Sequence, residues 1–176
     1  NRFFFEIEPL TPEVVAALRS GDLGSGTIRP NDAKEVGRKF GELGMNKDLM
    51  RKIYAINGSN VLVNDTKGIQ GLHETRELII EAFNGVCVKG PIADEPVQGM
   101  FVRLVDAKLH EDAIHRGPAQ TIPAVRNGIK GAMIRARTVL LEPMQKAFVS
   151  VPNDWLGQVT REVTNRRGII EDMPSE

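Results

Sequence analysis

The amino-acid sequence predicts a mixed α/β protein made of two unequal parts. Runs with the two-residue alternation of a strand lie between runs with the helical period, and this pattern restarts near residue 138. The 176 residues suffice for one domain and part of another at roughly 150 residues per domain. We therefore expect one larger domain followed by a smaller strand–helix–strand unit.

The first 85 residues predict two strands and four helices, each from a local signal. Alternating apolar side chains indicate strands at residues 2–8 and 60–64, the second entered from a Gly58-Ser59 turn. Capping residues followed by apolar residues at the helical period indicate the helices. The helices are expected from Thr11 to about Arg19, from Asp32 through Leu43, from Asn46 to Met50, and from Lys67 to Phe83 with Gly85 as its stop.

Residues 86–137 predict one long strand and one helix. The strand begins at Met100 and runs to about Leu109, with apolar side chains at alternate positions. A polar loop follows, and then a helix from Ile122 to Ala136. Three residues at helical spacing should face the core: Val125, Ile129 and Met133.

Residues 138–176 predict a strand, a helix and a second strand. The strand at Gln145–Val151 alternates, and Gly168-Ile169-Ile170 begins the second strand. The helix between them runs from Asp154 to Asn165, with Trp155, Val159 and Val163 in phase. Because such a unit has two open edges and half a core, we expect the chain to be a fragment of a longer protein.

Composition and charge exclude several classes of protein. Lys and Arg total 23 and so do Asp and Glu, and this zero net charge disfavours a protein that coats nucleic acid through bulk electrostatics. No apolar run approaches the roughly 20 residues of a membrane span. The single cysteine, Cys87, excludes an internal disulfide framework and favours a reducing, cytoplasmic location with this thiol in the core.

The most unusual segment is Leu109-His-Glu-Asp-Ala-Ile-His-Arg-Gly117, which we call the histidine loop (residues 109–117). Its start resembles the zinc motif H-E-x-x-H, so one hypothesis is a stand-alone metal-dependent hydrolase that uses His110, Glu111 and His115. Zinc-binding histidines on a helix lie four residues apart, whereas a spacing of five turns the second ring about 140° away. The spacing therefore disfavours a metal site.

Other catalytic motifs are missing from the sequence. It contains neither the G-x-S-x-G of many hydrolases nor the G-x-x-x-x-G-K-[ST] of a phosphate-binding loop. We therefore expect this chain to have no catalytic residue and no bound cofactor of its own.

Basic residues are concentrated around the histidine loop. Residues 103–137 contain seven basic residues and only three acidic ones, in a chain that is neutral as a whole. The basic residues are Arg103, Lys108, Arg116, Arg126, Lys130, Arg135 and Arg137. This local excess suits contacts with an RNA backbone, as in a general RNA-binding module, and equally suits a solvated helix face.

The histidine loop also carries a family resemblance. Leu109 to Gln120, followed by Ile122-Pro123, closely resembles the tip loop of domain IV in the archaeal and eukaryotic translation elongation factor 2 family; Gly-Pro-Ala after the arginine is similar to the archaeal form. The resemblance covers nearly the whole chain. It includes Asp65-x-Thr-Lys-Gly68, Gln70-x-Leu72, Arg51-Lys52-Ile53, and Asn165-Arg-Arg-Gly168, the last being similar to the first half of domain V.

This resemblance implies a fold for each part. Residues 1–137 would be domain IV, with the second-domain fold of ribosomal protein S5 and its first strand missing. Residues 138–176 would be the first half of a ferredoxin-like domain V, a truncated βαβ unit.

The resemblance also implies roles for residues of the histidine loop. His115 would be the residue converted to diphthamide, which is also the target of toxin ADP-ribosylation in this family. The modification adds a permanent cation on a long arm, which can reach RNA phosphates. The residues implied to form the RNA-contacting tip are His110, Asp112, Ile114, Arg116 and Gly117.

The partners implied by the resemblance are those of ribosomal translocation. They are the ribosome, transfer RNA and messenger RNA in the decoding A site, ribosomal RNA, and the diphthamide-synthesis enzymes, with no membrane. GTP and magnesium would bind the family's separate GTPase domain, which this chain lacks.

Overall fold

The computed structural model describes residues 1–173 and divides the chain into two compact units. The first unit is Asn1–Leu140 and the second begins at Leu141. Each unit is described by itself below.

The first unit is built on a five-stranded sheet. Its strands are β1 (Arg2–Pro9), β2 (Gly26–Thr27), β3 (Ile53–Asn57), β4 (Asn60–Asn64) and β5 (Met100–Lys108). Its α-helices are α1 (Pro12–Ser20), α2 (Ala33–Glu42), α3 (Lys47–Met50), α4 (Arg76–Val88) and α5 (Pro118–Arg135). The strand order is β1-β5-β4-β3-β2, with β4 and β5 parallel and the other pairs antiparallel. No helix in the described part of the chain has the length and apolar character needed to cross a membrane.

Both faces of the central strands are covered, which confirms the expected mixed α/β class. On one face Leu62 and Leu104 pack with Phe83 of α4 and Ile129 of α5. On the other face, strand residues pack with α1, α2 and α3. Strand β4 is therefore buried on both sides, which explains its continuous apolar run.

Local capping signals were mostly reliable. Thr11 caps α1 by accepting a hydrogen bond from the Val14 amide at 3.5 Å, and Asn46 caps α3 by accepting from the amides of Asp48 and Leu49. Asp32 lies at the predicted N-cap position of α2, but its side chain makes no capping hydrogen bond. Its carboxylate lies instead 2.8 Å from Nε of Arg29.

Two strands were not predicted. Strand β3 forms a hairpin with β4 across the predicted Gly58-Ser59 turn, with Asn57 opposite Asn60. Strand β2 has only two residues, Gly26 and Thr27, paired with β3 in a region rich in glycine. Its pairing depends on a partner distant in sequence, which local periodicity does not encode.

The helix predicted from Lys67 to Phe83 is displaced along the chain. Gly68 and Gly71 have φ values of +64° and +75°, which a continuous helix excludes, so α4 begins only at Arg76 after a 3-10 turn. Gly85 does not end the helix, because Val86 and Cys87 continue its buried face. Helix α5 begins at Pro118 rather than Ile122, and the three residues predicted to face the core are buried.

The second unit contains the predicted helix without the predicted strands. Helix α6 spans Leu156–Asn165 after a 3-10 turn at Asn153–Trp155. The strand predictions at residues 145–151 and 168–170 are wrong for the described chain, which forms no sheet ladder there. A strand needs a paired neighbour for its backbone, and these two short runs do not pair with each other.

Candidate functional site: the histidine loop

The histidine loop joins the end of β5 to the start of α5. Because β1 and β5 are antiparallel, with Arg2 opposite Lys108, the loop lies beside the first residue of β1. It contains a 3-10 turn at Ala113–Arg116. The fold thus brings together three sequence regions at this end of the sheet: the start of β1, the loop itself and the start of α5.

Side chains within the loop shape its backbone. The Asp112 amide donates a hydrogen bond to Nδ1 of His110 at 3.0 Å. The Asp112 carboxylate in turn accepts from the Ile114 amide at 3.1 Å, which caps the 3-10 turn. Two of the predicted site residues, His110 and Asp112, therefore help to shape the loop backbone.

The two histidine rings lie in contact. The centroids of His110 and His115 are 4.4 Å apart in an edge-to-face arrangement. The helical-spacing argument does not apply here, because the segment is an irregular loop with a single 3-10 turn rather than an α-helix. Within residues 1–173, however, no three His, Cys, Asp or Glu side chains converge in a group suited to a metal ion.

Asn1 bridges the two ends of the loop. Its side-chain Nδ2–H donates to the His115 carbonyl at 2.8 Å, and its Oδ1 accepts from the His110 amide at 2.9 Å. A single carboxamide at the start of β1 therefore holds the backbone of both histidines.

Arg116 makes a second bridge from within the loop. Its Nη1–H donates to the carbonyls of His110 and Glu111, each at 2.9 Å, and its Nη2–H donates to Glu74 at 2.5 Å. The Arg116 side chain is only 12% exposed, so this predicted RNA-contacting guanidinium is occupied by contacts within the protein.

Gly71, Glu74 and Thr121 surround Arg116. A Cβ at Gly71 would lie 3.2 Å from Cζ of Arg116, so the absence of a side chain there leaves room for the group to lie against the backbone. The hydrogen bond from Arg116 lowers the pKa of Glu74 and keeps it ionised. The Arg116 carbonyl is fixed from the other side, because the buried Thr121 hydroxyl of α5 donates to it at 2.9 Å.

The side chains that remain exposed are those at the outer surface of the loop. Ile114 is 74% exposed, and His115 is exposed with no hydrogen bond from its ring to any other residue in the described range. An exposed imidazole on a fixed backbone is accessible to a modifying enzyme or to a bound polymer. Gly117 is half-buried and serves as the N-cap position of α5.

The basic residues near the loop fall into two groups. Arg103, Arg116 and Lys130 form ion pairs with carboxylates, Arg103 with Glu6, Glu8 and Asp65. Four others are exposed and form no ion pair with the described residues: Lys108, Arg126, Arg135 and Arg137. The local positive charge available to a partner is therefore smaller than the sequence count suggests.

Sequence reasoning missed the residues that hold the loop from outside. Asn1 lies 109 positions from His110, and Glu74 lies 42 positions from Arg116. Neither residue belongs to a local motif, so only the fold reveals them.

Comparisons with known proteins agree with this architecture. The family model described as Elongation factor G, domain IV matches residues 26–137, and the model described as Elongation factor G C-terminus matches residues 139–176. The chain is 50% identical to Elongation factor 2 of Thermoplasma volcanium over all of its 176 residues, and 53% identical to that of Picrophilus torridus over 98% of the chain. It is 44% identical to Elongation factor 2 of Thermococcus kodakarensis, again over the whole chain.

The chain spans about a quarter of the length of these relatives, 24% in each case. These three relatives are archaeal, as the resemblance at the histidine loop indicated. On the strength of the domain IV match and the identity over its full length, the chain belongs to the translation elongation factor 2 and elongation factor G family.

Proposed function

We propose that this chain is the tip-bearing part of a GTP-dependent ribosomal translocation factor. Residues 1–137 act as domain IV, which enters the decoding A site and contacts transfer RNA, messenger RNA and ribosomal RNA. Residues 138–176 act as the first half of domain V. His115 carries diphthamide, and it is the residue that ADP-ribosylating toxins modify.

The observation that carries this proposal is the exposed His115 imidazole on a loop whose backbone is fixed by Asn1 and Arg116. Ordering of this loop before binding reduces the entropy lost when it meets RNA or an enzyme. The half-buried Gly117 and the exposed Asp112 and Ile114 complete the tip surface.

Two exposed cations beside the histidine loop support RNA as the partner. The cations of Lys108 and Arg126 are exposed and free of ion pairs within residues 1–173, and they lie on the two elements that flank the loop. Few positive charges are available, so backbone neutralisation alone gives weak binding. Diphthamide on the exposed His115 adds a fixed cation to this surface.

The chain itself acts without catalysis and without a cofactor in this proposal. GTP and magnesium bind elsewhere in the parent factor, and the site of action is the cytoplasm, where ribosomes translate.

The test is modification in the presence and absence of diphthamide-synthesis enzymes. We expect the intact mass to increase only when the enzymes are present, and the modified chain alone to become labelled by toxin and NAD. His115→Ala should abolish both signals, whereas His73→Ala, at another exposed histidine, should abolish neither. A modified wild-type chain that the toxin leaves unlabelled would show that His115 has been assigned wrongly.

A general RNA-binding module is the alternative, favoured by the exposed cations on α5. Such a module binds arbitrary duplex RNA in the absence of ribosomes, with affinity that falls steeply as salt increases. Binding of the unmodified chain to random duplexes as tight as to ribosomes would support this alternative over the translocation role.

A further inference from the structure

We propose that Asn1 and Arg116 are positioning residues that fix the histidine loop so that His115 is presented to its modifying enzymes. This inference rests on the proposed function, and it concerns two side chains whose described contacts are all with the protein itself. We call Asn1 and Arg116 the bridging side chains.

The two bridging side chains hydrogen-bond the same short stretch of backbone. Asn1 contacts the amide of His110 and the carbonyl of His115, and Arg116 contacts the carbonyls of His110 and Glu111. Both peptide groups of His110 are therefore held, the amide by one bridge and the carbonyl by the other.

Each bridge is itself anchored in a regular element. Asn1 immediately precedes β1, which pairs with β5 along its whole length. Arg116 is fixed by Glu74 in the 3-10 turn before α4 and by Thr121 in the first turn of α5. The loop is thus tied to the residue before β1, to the 3-10 turn before α4 and to the first turn of α5, although it is exposed to solvent.

The chemistry of each bridge requires its own residue type. Arg116 uses the forked guanidinium to reach two carbonyls and one carboxylate at once, which a lysine ammonium does not reproduce. Asn1 uses one donor and one acceptor on the same carboxamide. An aspartate keeps the acceptor for the His110 amide, loses the donor to the His115 carbonyl, and adds a charge beside that carbonyl.

The test compares Arg116→Lys and Asn1→Asp with matched controls elsewhere. Arg161→Lys changes an exposed arginine of α6, and Asn127→Asp changes an exposed asparagine of α5 that makes no side-chain hydrogen bond to the described residues. All variants are made in the full chain, and their unfolding midpoints establish that the first unit remains folded.

The first readout is amide hydrogen exchange at Asp112, Ile114 and His115. These amides donate hydrogen bonds inside the loop, so they report its order directly. We expect exchange to accelerate about tenfold in Arg116→Lys and in Asn1→Asp, roughly the effect of losing one hydrogen bond. Exchange in β5 should stay unchanged in every variant, as should loop exchange in both controls.

The second readout is the rate of modification at His115 as a function of protein concentration. A disordered loop must be ordered on binding, so KM should rise about tenfold while kcat stays close to wild type. A general loss of stability is distinguished from this result by the first readout, because it would accelerate amide exchange in β5 as well as in the loop.

The outcomes separate the inference from the proposed function. Unchanged loop exchange in both variants, or faster exchange with unchanged KM, overturns the positioning role. A wild-type chain that no diphthamide-synthesis enzyme modifies overturns the proposed function, and with it the purpose assigned to the bridges, whatever the exchange shows. Faster loop exchange together with a raised KM, in the two variants and not in the controls, supports the positioning role of Asn1 and Arg116.

Discussion

Both units of the chain contain large apolar residues, but only the first unit buries them in a core. In the first unit Phe83 and Ile129 are fully buried, in a core that covers both faces of a sheet. In the second unit no residue from 141 to 173 is buried, and Phe148 is 97% exposed. The apolar content of the second unit therefore does not by itself produce a core.

The difference follows from how many elements each unit contains. The first unit has strands on both sides of β4 and β5, so each central strand satisfies its backbone and buries both faces. The second unit offers one amphipathic helix and two short apolar runs, which is fewer than a stable sheet with a packed face requires. A core depends on the number of layers more than on local periodicity.

Truncating one phenylalanine in each unit gives the largest test of this contrast. Phe83→Ala removes a fully buried ring, and it should lower the free energy of unfolding by about 3–5 kcal/mol. Phe148→Ala removes a ring exposed to solvent, and the same measurement by urea denaturation should change by less than about 0.5 kcal/mol. Equal losses would mean that the second unit has a packed core after all.

Adding a methyl group to one glycine in each unit sharpens the contrast. A Cβ at Gly128 of α5 would lie 3.0 Å from the Phe5 ring, so Gly128→Ala should destabilise the first unit by about 1–3 kcal/mol. A Cβ at Gly157 of α6 meets nothing within 4 Å, so Gly157→Ala should favour α6 by up to about 1 kcal/mol through helix propensity. Urea denaturation measures the first change and the helical circular dichroism signal the second. Destabilisation by both substitutions would contradict an open surface around α6.

The sequence predicted what local chemistry determines and missed what distant partners determine. The Thr11 and Asn46 caps and the buried face of α5 follow from neighbouring residues, and the structure contains them. Strand β3 and the strand-free backbone at residues 145–151 depend on which partner is available across the fold. The candidate site divides in the same way: its histidines belong to a local motif, whereas Asn1 and Glu74 reach it through the fold.

Two ion pairs of nearly equal length extend the contrast to electrostatics. In the first unit, Nη2 of Arg116 lies 2.5 Å from Oε2 of Glu74. In the second unit, Nη2 of Arg167 lies 2.6 Å from Oε1 of Glu142. The Arg116 side chain is 12% exposed, whereas that of Arg167 is 79% exposed. Solvent screens the Arg167–Glu142 pair, so Glu142→Gln should leave the unfolding midpoint unchanged. Glu74→Gln removes the partner of the largely buried Arg116, so it should accelerate amide exchange in the histidine loop.

The pH dependence of the loop tests the same pair with the smallest expected effect. Arg116 lowers the pKa of Glu74 below its ordinary value of 4.5, so the contact is fully present above pH 4.5 and is lost as the pH falls through the lowered pKa. Amide chemical shifts of Ile114 and His115, followed below pH 4.5, should therefore show a transition in the wild-type chain. The matched measurement on Glu74→Gln isolates the contribution of Glu74 to this transition. A transition of the same size in both chains would mean that Glu74 does not hold the loop through Arg116.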